Sequence, residues 1–100
     1  MYGLIVKLTV VPGQRDETIA LLAGSSREMP GCSSYLIAKD AADGNVLWVT
    51  EAWESQASHD ASLSLRAVQE AIPRVKPLLA NFEKIAVTEP VAEGFSGRYL

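Results

Sequence analysis

The feature that most constrains this chain is a change of hydrophobic period at Pro12-Gly13. From Tyr2 to Val11 every even position is apolar and β-branched residues are frequent, the pattern of a strand. Pro12-Gly13 is a turn signal that stops it. From Gln14 onward Ile19, Leu22, Ala23, Ser26 and Met29 fall at helical spacing, with Asp16 and Glu17 at the start, where the helix dipole favours acids. Pro30-Gly31 is the predicted end of that helix.

The same alternation of periods continues to the end of the chain. Cys32 to Lys39 reads as a second strand, Asp40 to Asn45 as a hairpin-type loop, and Val46 to Trp53 as a third strand. Ser55 is a predicted N-cap, since its hydroxyl can accept from an unpaired amide of the first turn. Beyond it, Ala57, Ala61, Leu65, Val68, Ile72, Val75 and Leu79 form a stripe that fits a period of about 3.6. Pro73 and Pro77 lack an amide donor and crowd the preceding turn, which predicts a kink or break near Ile72. Phe82 to Thr88 gives a fourth strand, and Glu89-Pro90 opens a tail. The order β-α-β-β-α-β is the split βαβ, or ferredoxin-like, pattern of an α+β protein, a four-stranded antiparallel sheet with both helices on one face. The reading is one domain over residues 1–100, with its core in about 2–89 and a tail over 90–100.

Composition narrows the function. The 100 residues carry a formal net charge of -3 and a pI near 5.0, with no basic footprint for nucleic acid or an anionic membrane. One cysteine, Cys32, makes neither an intrachain disulfide nor, alone, a zinc site. No run approaches the roughly 18 apolar residues of a membrane span, and no basic segment precedes the apolar start. A reducing cytoplasm is the expected setting. Both faces of the strands are apolar, however. Leu4, Val6, Leu8 and Val10 oppose Ile5, Thr9 and Val11 around Lys7; Trp48 and Ala52 oppose Leu47, Val49 and Trp53; Ile85 and Val87 oppose Phe82 and Ala86. Two helices cover one face only, so the other is expected to pair sheet against sheet in a homodimer. A solvated mixed face is the alternative.

Three stretches carry a resemblance. Val11-Pro12-Gly13-Gln14, Pro30-Gly31-Cys32-Ser33-Ser34-Tyr35, and Thr50-Glu51-Ala52-Trp53-Glu54-Ser55 followed by Ala57 to Leu63 resemble the antibiotic biosynthesis monooxygenase domain, in particular its small quinol-monooxygenase-like branch. The resemblance runs from about Tyr2 to Thr88. It implies a ferredoxin-like dimer whose two sheets form an α+β barrel. It further implies oxygenation of a quinol, anthrone or polycyclic phenol by O2, with no flavin, haem or metal. Such chemistry needs an apolar pocket, a base, and donors to hold an anion. In keeping with it, the sequence has no dinucleotide fingerprint, no phosphate-binding loop and no second histidine for a two-His-one-carboxylate iron site.

Four residues are candidates for the site. His59 is the single histidine, and histidine is the side chain that ordinarily titrates near neutrality, which makes it the natural base. On one continuous helix it would lie about 200° from the stripe begun by Ala57 and face water; only a break between Ser62 and Arg66 turns it inward. Trp53 can wall an aromatic pocket and donate its indole N–H, and is the second catalytic candidate. Glu51 on the same strand face and Tyr35 on the second strand are substrate-binding candidates. The competing readings are a surface or capping histidine, a core tryptophan, a rim or dimer-face carboxylate and a core tyrosine. Cys32 is not expected to be a nucleophile. Haem-degrading relatives of the fold use an asparagine and a tryptophan where this chain aligns Val6 and Ser62, and a histidine downstream of His59, so haem degradation is disfavoured. The alternative function is a non-catalytic dimeric barrel, stress-related or accessory, that binds a small apolar metabolite. An ionisable group inside the cavity separates the two. The tail, through Phe95, Tyr99 and Leu100, is expected to dock on the partner subunit.

Overall fold

The computed structural model describes residues 1–92; the tail residues Phe95, Tyr99 and Leu100 lie outside them. Four strands, β1 (Tyr2–Val10), β2 (Cys32–Lys39), β3 (Val46–Trp53) and β4 (Leu79–Thr88), form one antiparallel sheet in the order β2-β3-β1-β4. Helices α1 (Arg15–Ser25), α2 (Gln56–Ser62) and α3 (Arg66–Val75) complete the ferredoxin-like α+β fold. Among the described residues no helix is long and apolar enough to cross a membrane.

The alternation along β1 decides which face is the core. Leu4, Val6, Leu8 and Val10 are each buried, and with Leu47 and Val49 of β3 they make one cluster against Ile19 and Leu22 of α1. The odd-numbered residues Ile5, Lys7 and Thr9 are only half-buried on the other face. Trp53 and Leu47 are fully buried.

Helix α1 begins where the acids predicted it but ends at Ser25, four residues before Met29, so Pro30-Gly31 closes a short loop rather than the helix. Its start is tied to the β2–β3 loop by Arg15, whose Nη1 donates to the carbonyls of Asp43 (2.8 Å) and Val46 (3.1 Å). Ser55 caps α2 as expected, its Oγ accepting from Ser58 N at 3.1 Å.

Two further expectations are corrected. The second helical region breaks at Leu63–Leu65 and not near Ile72. The amides of Leu63, Ser64 and Leu65 bond three residues back, to Asp60, Ala61 and Ser62, which tightens the end of α2 until Leu65 turns extended and caps α3. Pro73 lies inside α3, and Pro77 opens no helix break but sits in a 3-10 turn, Lys76–Leu78. Because the break resets the faces, Ala57 and Ala61 are exposed while Ser62 is buried. In β4 the predicted alternation also fails. Ile5 faces Ala86 but Val6 faces Lys84, so Ile85 is an extra, bulged residue. One extra residue swaps the faces beyond it. Phe82, Lys84 and Val87, opposite Leu8, Val6 and Leu4, share the helix-side face, and Ala86 joins Ile5 on the bare one.

Candidate active site

Between the helix-side face and the three helices lies a cavity of about 430 Å³. Leu4, Val6, Leu8 and Val49 floor it, and Leu22, Val68, Ile72 and Val75 roof it. All four residues singled out in the sequence, Tyr35, Glu51, Trp53 and His59, line it.

Each arrives by a different local cause. Glu51 and Trp53 are two apart on β3 and so share a face. Tyr35 is the cross-strand partner of Glu51 on β2. His59 turns inward because α2 and α3 are separate helices, and its side chain is 17% exposed. Its ring lies between two others, 5.5 Å from Tyr2 in a tilted contact and 5.5 Å from Trp53 edge to face, at 82°.

The polar atoms at this end form two separate pairs. The indole N–H of Trp53, a predicted donor to a ligand, donates instead to Glu51 Oε1 at 2.9 Å. Trp53 is thus a wall that also fixes the carboxylate. His59 Nδ1 lies 3.2 Å from Asp60 Oδ1. An ionised carboxylate only accepts, so the proton of a neutral ring stays on Nδ1 and Nε2 is left as the basic nitrogen. Burial, reinforced by the Glu51 carboxylate, pushes the Tyr35 phenol well above its ordinary range, so it remains a donor at neutral pH. Partial burial likewise raises the Cys32 thiol, which keeps it protonated and a poor nucleophile. Among the described residues no group of three or more His, Cys, Asp or Glu could hold a metal ion.

A family model described as antibiotic biosynthesis monooxygenase matches residues 1–74. The chain belongs to the antibiotic biosynthesis monooxygenase family. Members of the family are generally independent of cofactors. Among solved structures, the chain is similar to a candidate antibiotic biosynthesis monooxygenase from Chloroflexus aurantiacus J-10-fl, with 47% identity, a TM-score of 0.90, and 96% of this chain and 98% of that one covered. It shares its fold with Rv0793 from Mycobacterium tuberculosis, at 24% identity, TM-score 0.74 and coverage of 94% and 98%. A candidate antibiotic biosynthesis monooxygenase from Nitrosomonas europaea gives 16% identity, TM-score 0.83 and coverage of 92% and 100%. No curated protein matches the chain.

Val6 and Ser62 both line the cavity. Ser62 Oγ donates to the His59 carbonyl at 2.6 Å and thereby ties off the end of α2. Sequence reasoning missed Tyr2 as a neighbour of His59, and Phe82, Lys84 and Lys76 as cavity residues. Tyr2 was within reach of the alternation, since in an antiparallel β1–β3 pair it stands opposite Trp53. Lys84 was too, being two residues from Phe82, but a charged residue on an edge strand draws no attention as a wall of an apolar pocket.

Proposed function

We propose that this chain is a cofactor-independent monooxygenase that oxidises a quinol, or a polycyclic phenol or anthrone, with O2 as co-substrate. The carrying observation is that ionisable groups, His59 and Glu51, line a predominantly apolar cavity. A wholly apolar lining would favour the alternative, a non-catalytic barrel for a small apolar metabolite.

In the proposed reaction His59 Nε2 takes the phenolic proton while Asp60 holds Nδ1. The phenolate, steadied by the Tyr35 hydroxyl, passes one electron to O2. The two radicals combine into a peroxide at ring carbon, and cleavage of its O–O bond releases water. A hydroquinone plus O2 becomes a hydroxyquinone plus water, with the substrate as sole reductant. Trp53 walls the ring and keeps Glu51 in place. The proposed assembly is a homodimer through the bare sheet face; members of the family commonly form dimers.

Oxygen uptake by metal-stripped protein on naphthohydroquinones, anthrones and catechols, corrected for autoxidation, tests the reading. Saturable uptake is expected, with His59→Ala lowering kcat by about 100-fold or more. Uptake that survives the substitution removes the base from His59. No uptake above autoxidation on any of these compounds favours the binder.

A further inference from the structure

The polar lining of the cavity is divided by sign. Glu51 and His59, with Asp60 behind it, stand at the β3 and α2 side. Lys84 of β4 and Lys76 of the 3-10 turn stand at the other. Among the described residues neither lysine is in an ion pair, whereas Lys39 and Arg66 are. Both are exposed and line the cavity, a combination in which a lysine stem covers apolar surface while its ammonium stays in water.

The sheet fixes the separation of these ends. Glu51 faces Leu4 of β1 across one pairing, and Lys84 faces Val6 of the same strand across the other. Two strand spacings across and two residues along β1 therefore lie between their backbone positions, about 12 Å. That is the scale of a fused two- or three-ring aromatic with its substituents. The sequence has an acidic balance of -3, so two lysines that line the cavity without an ion pair among the described residues run against the charge of the rest of the molecule.

We infer that the cavity selects aromatics carrying an anionic substituent, a carboxylate above all, on the ring remote from the reacting hydroxyl. The lysines hold that anion at the mouth, the fused rings fill the apolar middle, and the hydroxyl is delivered to the His59 end. Glu51 repels the anion from the inner end, so the two signs together set the ligand's direction. The inference rests on the cavity being a site for phenolic aromatics, the reading proposed above.

Binding of oxygen-stable probes separates the two. The ligands are 6-hydroxy-2-naphthoate and its neutral amide, 6-hydroxy-2-naphthamide, titrated by calorimetry against the full chain at low ionic strength. The carboxylate is expected to bind about fivefold tighter or more than the amide, a preference that weakens as salt is added. In the Lys76→Met, Lys84→Met double variant the stems persist but the charges do not; the preference is expected to vanish while amide affinity stays the same. Equal affinities for the two ligands, or a preference that survives the double substitution, overturns the anion selection and leaves the aromatic site standing. Binding of neither ligand overturns both.

Discussion

At the scale of single residues, the site depends on one glycine outside the cavity lining. Gly31 has φ +83°, where side chains other than glycine's are strained, and a Cβ there would lie 2.6 Å from Ser58 Cβ on α2. The Gly31 carbonyl also accepts from Glu54 N at 2.8 Å, just before α2 begins. Gly31→Ala is therefore expected to cost about 1–2 kcal/mol from the backbone conformation alone, and more from overlap with α2. Thermal unfolding checks it, and an unchanged Tm would refute both the backbone cost and the overlap. This dependence was half legible in advance, since Pro30-Gly31 announced a turn but not what the turn packs against. The four candidate side chains were legible through strand alternation and family resemblance together. Their direction was not. Nothing in the local spacing says that the Trp53 indole N–H meets Glu51, because that bond depends on rotamers set by packing.

At the scale of elements, the first three strands were legible, while the faces of β4 and of the helices were not. β2 and β3 have the predicted bounds, while α2 and α3 were read as one stripe because the steps from Ala57 to Val75 fit a helix that the chain does not build. Loop chemistry explains the well-read hairpin. Asp40 accepts from the amides of Ala42 and Asp43 and from Trp48 Nε1–H at 2.9 Å, which lowers its carboxyl from 3.8 to about 2, the indole bond contributing most. A depressed carboxyl stabilises the fold fully above its ordinary value of 3.8 and loses that contribution as pH falls through about 2. Urea unfolding between pH 5 and pH 2 should therefore show a steeper loss of stability in the native sequence than in Asp40→Asn. Parallel pH profiles would refute the link.

At the scale of the whole molecule, the bare face bears on assembly. Leu36, Thr50, Ile5 and Ala86 form one row across all four strands, and Leu36 is 61% exposed. The next row carries Trp48 with Lys7 Nζ 5.8 Å from its ring centroid. A surface of this kind suits pairing with its own copy through the apolar row, with the cation–aromatic pair alongside. Light scattering is expected to give twice 10.8 kDa for the native chain and 10.8 kDa for Leu36→Lys; a native chain that runs as a monomer would refute the pairing. Apolar side chains on both faces have a second consequence, for how the chain finds its fold. Where burial favours either face, alternation alone discriminates poorly between a correct pairing and one slipped by a residue. β1 and β4 come from opposite ends of the described chain, so theirs is the late, entropically expensive closure. Gly3 bears on that closure. It faces Thr88 at the last β1–β4 pairing, and a Cβ there would overlap the Thr88 hydroxyl, so a side chain at position 3 would crowd the end of the last strand to arrive.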